Sequence, residues 1–248
     1  MKEKKIILLL FSVVLLLSTG VMAEGWRSRV WPATPKFIPP LSGWIITIDP
    51  GHGGTDSGAY NATLDLREKD INLQIGLKLR TSLIKLGAQV EMTRETDVSM
   101  DIPDRRTFSN NKGAHRLVSL HVNAASSTAA EGIETWVDTD SDNVWKAYAS
   151  SLHNNAVAAA QSYDATIKDR GVKYSGSTPP WGDGRKIGVI RYDLLSHPAA
   201  LLELNFISND REATRLVRND YQLALAQGIA QGFKEHARVY RKEDGLRR

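Results

Sequence analysis

From Trp44 onward, short runs of aliphatic and β-branched residues alternate with longer segments of helical periodicity, and nothing else narrows the fold of this 248-residue chain so far. Strands are expected at Trp44 to Asp49, Ala88 to Thr93, Leu117 to Val122, Gly132 to Val137, Ile187 to Arg191 and Ala199 to Phe206. A helix from about Lys69 to Leu86 carries one apolar stripe of Ile71, Ile75, Leu79, Leu83 and Leu86 and a second of Leu73, Leu77 and Ile84, so it should touch neighbours on two sides. Further helices are expected from Asp101, with Pro103 in the first turn, to Gly113; from Asp142 to about Asp164; from Asp210 to Val217; and from Asp220 to Ala237, capped by Asn219. Strands interleaved with helices predict an α/β sheet.

The ends read differently. Residues 1–23 combine a basic start, an apolar run from Ile6 to Leu17 and small residues before Glu24, the pattern of an export leader. Twelve residues fall short of the roughly 20 that span a bilayer, so no stable membrane insertion is expected once the leader is removed. Residues 24–42 hold Pro32, Pro35, Pro39 and Pro40 and read as a linker, residues 43–240 as one folded domain, and residues 241–248 as a frayed basic tail. The formal charge of +4 falls further without the leader, which takes three lysines and one glutamate with it. A balance so mild gives no case for nucleic acid. Cysteine is absent, which removes disulfides, thiol nucleophiles and thiolate metal ligands. Any chemistry must rest on His, carboxylates, Ser or Lys.

Ligands of open α/β sheets gather at the carboxyl ends of strands. His52 follows the first strand in the turn Asp49-Pro-Gly-His-Gly-Gly54, His121 lies near the end of the third, Glu203 interrupts the apolar run from Ala199 to Leu204, and Glu68 precedes the first helix. Two neutral imidazoles and a carboxylate make a catalytic zinc set with a fourth position open. Each residue also has a structural reading: the histidines as hydrogen-bonded turn and strand residues, Glu68 as a complement to the helix dipole. Glu203 is harder to explain so, because an unpaired buried carboxylate costs several kcal/mol. The chain lacks His-Glu-x-x-His, Gly-x-Ser-x-Gly and a phosphate-binding Gly-x-x-x-x-Gly-Lys. Asp138, Asp140 and Asp142 imitate a calcium loop, but Asn143 and Ala149 stand where it needs Gly and Glu.

Five blocks in order, Ile46-Thr-Ile-Asp-Pro-Gly-His-Gly-Gly54, Leu66-Arg-Glu-Lys-Asp-Ile-Asn-Leu73, Met92-Thr-Arg94, Val118-Ser-Leu-His-Val-Asn-Ala124 and Leu201-Leu-Glu-Leu-Asn-Phe-Ile-Ser-Asn209, resemble those of the zinc-dependent N-acetylmuramoyl-L-alanine amidases. The resemblance implies a three-layer αβα sandwich around a twisted mixed, mostly parallel sheet. It implies one zinc per chain held by His52, Glu68 and His121, with Glu203 as the catalytic carboxylate. Peptidoglycan would be the substrate, cut between N-acetylmuramic acid and L-alanine, by an exported monomer working in the periplasm or the wall. Arg105 and Asn110 match family positions to which a fold-supporting role is assigned. Val122 replaces the usual Ala and Asn205 a common Gly, which bears on substrate fit. A non-catalytic wall-binding module and a zinc peptidase or deacetylase acting on another wall amide are the alternatives. Residues Tyr174 to Arg185, with Trp181, read as an irregular loop rather than a helix blocking the site, so no obligatory activator is expected.

Overall fold

The computed structural model describes residues 37–180 and 184–247; the leader, most of the proline-rich segment and Trp181 lie outside the described residues. In chain order the elements are β1 (Ile45–Pro50), β2 (Tyr60–Asn61), β3 (Leu66–Arg67), α1 (Glu68–Lys85), β4 (Gln89–Met92), α2 (Ile102–Asn111) and β5 (Arg116–Asn123). There follow β6 (Ile133–Asp138), α3 (Asn143–Tyr163), β7 (Asp169–Ser175), a 3-10 turn at Gly188–Ile190, β8 (Ala199–Phe206), α4 (Asp210–Leu216) and α5 (Asn219–Val239). The main sheet runs β4-β1-β5-β8-β6-β7, parallel except where β6 meets β8.

Strand alternation divides this sheet into two unlike faces. On β1, Ile48 and Pro50 face α1, where Gly76 lets the helix come close enough that a β-carbon there would stand 3.0 Å from the Pro50 ring. Thr47 and Asp49 point the other way, to Ser109 and Arg105 of α2. The long helices α1, α5 and α3 pack together on the first face, and α2 with the 3-10 turn covers part of the second. This is the expected three-layer αβα arrangement around a mixed, mostly parallel sheet.

Several expectations need correction. Ile187 to Arg191 is a 3-10 turn rather than a strand: Val189 and Ile190 are both buried, and Gly188 packs on Ile102 where a side chain would collide. The sheet gains β7 instead, whose sequence Asp-Arg-Gly-Val-Lys-Tyr-Ser lacks an apolar alternation because it is a largely open edge. That strand also takes Tyr174 and Ser175 out of the irregular segment. The second stripe of α1 is largely uncovered, with Leu77 and Ile84 exposed. Asp142 caps α3 through Val144 N and Trp145 N, but Asp101 makes no side-chain cap bond and Asn219 is the first residue of α5, not its cap. The end of the linker packs, since Leu41 is fully buried and its amide bonds Leu86 O.

Nor is the tail frayed. Arg116 is a fully buried cation with no carboxylate partner among the described residues, and the carbonyls of His115, Arg241 and Lys242 accept its N–H groups. Further along, Trp145 Nε1 donates to Gly245 O, and the Arg247 guanidinium lies 4.3 Å from the Tyr192 ring centre. The buried guanidinium therefore recruits the tail as its solvent.

Arg116 also donates to His236 Nε2, which must be neutral to accept. Burial and the neighbouring Arg116 pull His236 down to about 3, and burial, with Arg116 and His115, does the same to His197. Both native pKa values lie below the unfolded value of about 6.5. Their contribution is complete above that pH and is lost as pH falls toward 3, at about 1.4 kcal/mol per pH unit per histidine. Urea unfolding between pH 7 and 4 should accordingly show a shallower loss of stability in His236→Gln than in the parent; equal slopes would refute the assignment.

Candidate active site

The carboxyl ends of β1, β5 and β8 meet on the face shared with α2. β1 runs into Gly51-His52-Gly53-Gly54, and a β-carbon on Gly51 would stand 2.2 Å from His121 Nε2, so glycine is what lets the two ligand candidates approach. His52 itself adopts φ +61°, an uncommon conformation for a side-chain-bearing residue, held by Arg105 Nη2 donating to its carbonyl. Arg105 further bonds Asp49 and Pro50 O, and Arg94 bonds Pro50 O, Gly51 O and Lys69 O, joining the turn to the start of α1. Asn110 ties α2 to Leu194 O and to Ser196. Arg105 and Asn110 thus support the fold, and Arg105 supports this turn directly.

Glu68 opens α1 after the small β2-β3 hairpin. Its Oε1 lies 3.0 Å from His52 Nε2 and 2.9 Å from His121 Nδ1, while Oε2 accepts from Ala59 N at 2.9 Å. A β-carbon on Gly58, which has φ +63°, would collide with Glu68 Oε2 at 2.6 Å. The three donor atoms all lie within 4.8 Å of one another. Donors at zinc bond lengths in a tetrahedron stand on the order of 3.3 Å apart, so little movement converts this cluster into a coordination set. Burial pushes the Glu68 carboxyl up, but hydrogen bonds from both imidazoles outweigh it and hold it well below the carboxylate range. Burial lowers His52, yet Glu68 and Asp56 raise it to about 9, and His121 is raised in the same way by Glu68. Protons on the imidazoles thus do here what a cation would do for the same lone pairs.

Glu203 stands in register with His121 on the neighbouring parallel strand. Its side chain is partly open to the cleft, but Oε2 is buried without a hydrogen-bond partner among the described residues. Burial pushes this carboxyl up to about 7. The four candidates therefore converge in one cleft of about 740 Å³, with Ile102, Ile187, Val189 and Leu201 among its apolar lining.

Sequence reasoning missed Asp56. Its Oδ2 lies 2.7 Å from His52 Nδ1, which fixes the ring so that Nε2 faces Glu68. The only signal was a carboxylate four residues beyond His52 in a glycine-rich turn that folds back through Gly53 and Asp56. Asp56→Asn should weaken metal binding by about 10-fold or more, read by chelator competition; unchanged affinity would show that Asp56 does not orient the ring.

Residues 46–235 match the family described as N-acetylmuramoyl-L-alanine amidase. The chain belongs to the N-acetylmuramoyl-L-alanine amidase family. Among curated relatives, the sporulation-specific N-acetylmuramoyl-L-alanine amidase of Bacillus subtilis is 32% identical over 192 residues, 77% of this chain and 67% of that one. The amidase of Clostridium difficile 630 superposes with a TM-score of 0.70 at 32% identity, covering 79% of this chain and 97% of the other. The CwlD amidase of Clostridioides difficile, solved in complex with the GerS lipoprotein, gives 0.69 at 28% identity over 79% and 100%. The present amidase is thus an enzyme acting on peptidoglycan, and the non-catalytic reading falls away.

Asn205 of the amidase has φ +75°, a conformation that glycine adopts freely and asparagine tolerates better than most. Its side chain is buried, donating to Glu212 Oε1 and accepting from Tyr221 OH. It ties the end of β8 to α4 and α5, which accounts for Asn in a position where Gly is common and removes it from the question of substrate fit. Val122 does line the cleft.

Proposed function

We propose that His52, Glu68 and His121 hold one zinc ion and that Glu203 moves the proton in hydrolysis of the amide between N-acetylmuramic acid and L-alanine. The observation that carries this reading is the buried, partnerless Oε2 of Glu203 in register with a two-histidine, one-carboxylate cluster. Bound zinc supplies a Lewis acid that polarises an amide carbonyl and lowers the pKa of water toward about 7. Glu68 brings negative charge, and its fixed Oε2 leaves Oε1 directed at both imidazoles. Glu203, raised to about 7 by burial, is suited to take a proton from the attacking water and return it to the departing amine of L-alanine. The apolar wall restricts water around the reacting amide.

Residues 1–23 serve in this proposal as an export leader, which delivers the catalytic domain of residues 43–240 to peptidoglycan outside the cytoplasmic membrane as a monomer. Among the described residues no helix is long and apolar enough to cross a membrane. Its tail belongs to the same folded body, given the contacts of Arg116 and Trp145 with it. No activator is required: β6 ends at Asp138 and α3 begins at Asn143, which leaves no inserted helix at that junction. Purified residues 24–248 with zinc should release, from isolated peptidoglycan, free stem peptides beginning with L-alanine, identified by mass spectrometry. Cleavage at another bond would mark a different wall peptidase or deacetylase, and silence relieved by a partner protein would overturn the unregulated reading.

A further inference from the structure

The cleft face of the sheet does not stop at Glu203. Glu134 of β6 is its register partner on the other side, and Trp136, two residues on, lines the cleft. Asn123, also in the lining, donates to Glu134 Oε1 at 3.0 Å, as does Trp136 Nε1 at 3.1 Å. The second carboxylate oxygen of Glu134 meets two cations of β7, Arg170 Nε at 2.6 Å and Lys173 Nζ at 3.0 Å. Lys173 pairs in register with Trp136, and its ammonium lies 5.7 Å from that ring centre. A continuous row therefore runs across one face, from His121 through Glu203 and Glu134 to Lys173 and Arg170.

At the β7 end of this row two cations meet the single carboxylate of Glu134. Beyond Glu134, the neighbouring Glu131 is met by Lys168 and Arg211, while Asp169, the carboxylate of β7 itself, turns to His153. The 3-10 segment meets β7 only at its far end, where Ser175 Oγ accepts from Ile187 N among the described residues, and Arg170 and Lys173 keep 34% and 21% of their side-chain surface open. Charged side chains guard an edge strand against pairing with another chain, but that role needs no link to residues lining the cleft.

We infer that Lys173 and Arg170, presented beside Trp136, form a subsite for a carboxylate of the peptide on the L-alanine side of the scissile bond. This rests on the amidase reading of the same cleft. Two strand spacings, about 10 Å, separate β8 from β7. An extended peptide covers that distance in about three residues, so the carboxylate recognised lies within about three residues of the cut. Binding there orients the peptide and takes no part in proton transfer, so it acts on KM and leaves kcat alone.

The test compares two soluble substrates, a muramoyl-L-alanyl tripeptide with free carboxylates and the same compound with every carboxylate amidated. For the full-length zinc-loaded enzyme at low salt, KM for the acidic substrate should be about 10-fold lower at similar kcat, the scale of one charge-assisted hydrogen bond. The gap should narrow as sodium chloride is raised, and it should shrink to about threefold or less in Lys173→Gln, where Arg170 still holds Glu134. If that variant does not fold, the salt titration of the parent enzyme decides alone. Equal KM values for the two substrates, or a gap that survives both salt and Lys173→Gln, would overturn the subsite and leave the amidase standing; failure to cleave either would overturn both.

Discussion

Glu203→Gln is expected to keep close to one zinc per chain while losing at least about 100-fold in turnover, the usual contribution of a positioned acid-base group. The substitution preserves size and the strand pairing with His121 and Glu134, so the fold and the three ligands should be undisturbed. What it removes is the ability to take up and return a proton. Metal content measured beside peptidoglycan digestion separates the possibilities. Loss of zinc would make Glu203 a ligand, and near-normal turnover with zinc bound would end its proposed role.

Removal of the metal should be as severe. Chelation is expected to abolish activity and zinc to restore it, and His121→Ala should bind zinc too weakly for either. Because the ligands are assembled only in the folded chain, bound zinc also adds stability, about 4 kcal/mol when free zinc exceeds Kd a thousandfold. For a domain of this size that is a rise in Tm of about 10 °C, visible by calorimetry and missing in His121→Ala. Full activity after verified metal removal would refute the assignment of all three ligands.

The legible parts of this chain were those where burial imposes a period. β1, β5, β6 and β8 sit inside the sheet with apolar neighbours on both sides, and their near-continuous apolar runs were readable as strands. β7 was not, because its Asp169-Arg-Gly171 start and Lys173 leave too few apolar residues to show a period, whereas the other edge strand, β4, keeps Val90 and Met92. The 3-10 turn misled for the opposite reason: Val189 and Ile190 are as apolar as a strand, but they fill the gap between α2 and the sheet in a single turn. At the site, glycine spacing and an interrupting glutamate pointed to His52, His121 and Glu203 from the residues alone. Glu68 was a candidate from its place before α1, and the four together suggested a zinc set; which carboxylate binds and which moves the proton came only with the family blocks. Asp56, Arg94 and the Glu134 cluster act through distances between segments far apart in the chain, which no local pattern carries.

The order of strands also determines when during synthesis this enzyme can exist. β8 occupies the middle of the sheet, between β5 and β6, although it is the last strand to leave the ribosome. Until it inserts, the two halves of the sheet have no common neighbour, and the carboxylate facing His121 is absent. On the proposed roles, a nascent chain that has gathered both histidines and Glu68 still lacks its proton carrier until the central strand arrives. Such late, long-range pairing is slow. In a peptidoglycan amidase that delay sets activity at the end of folding, not during it.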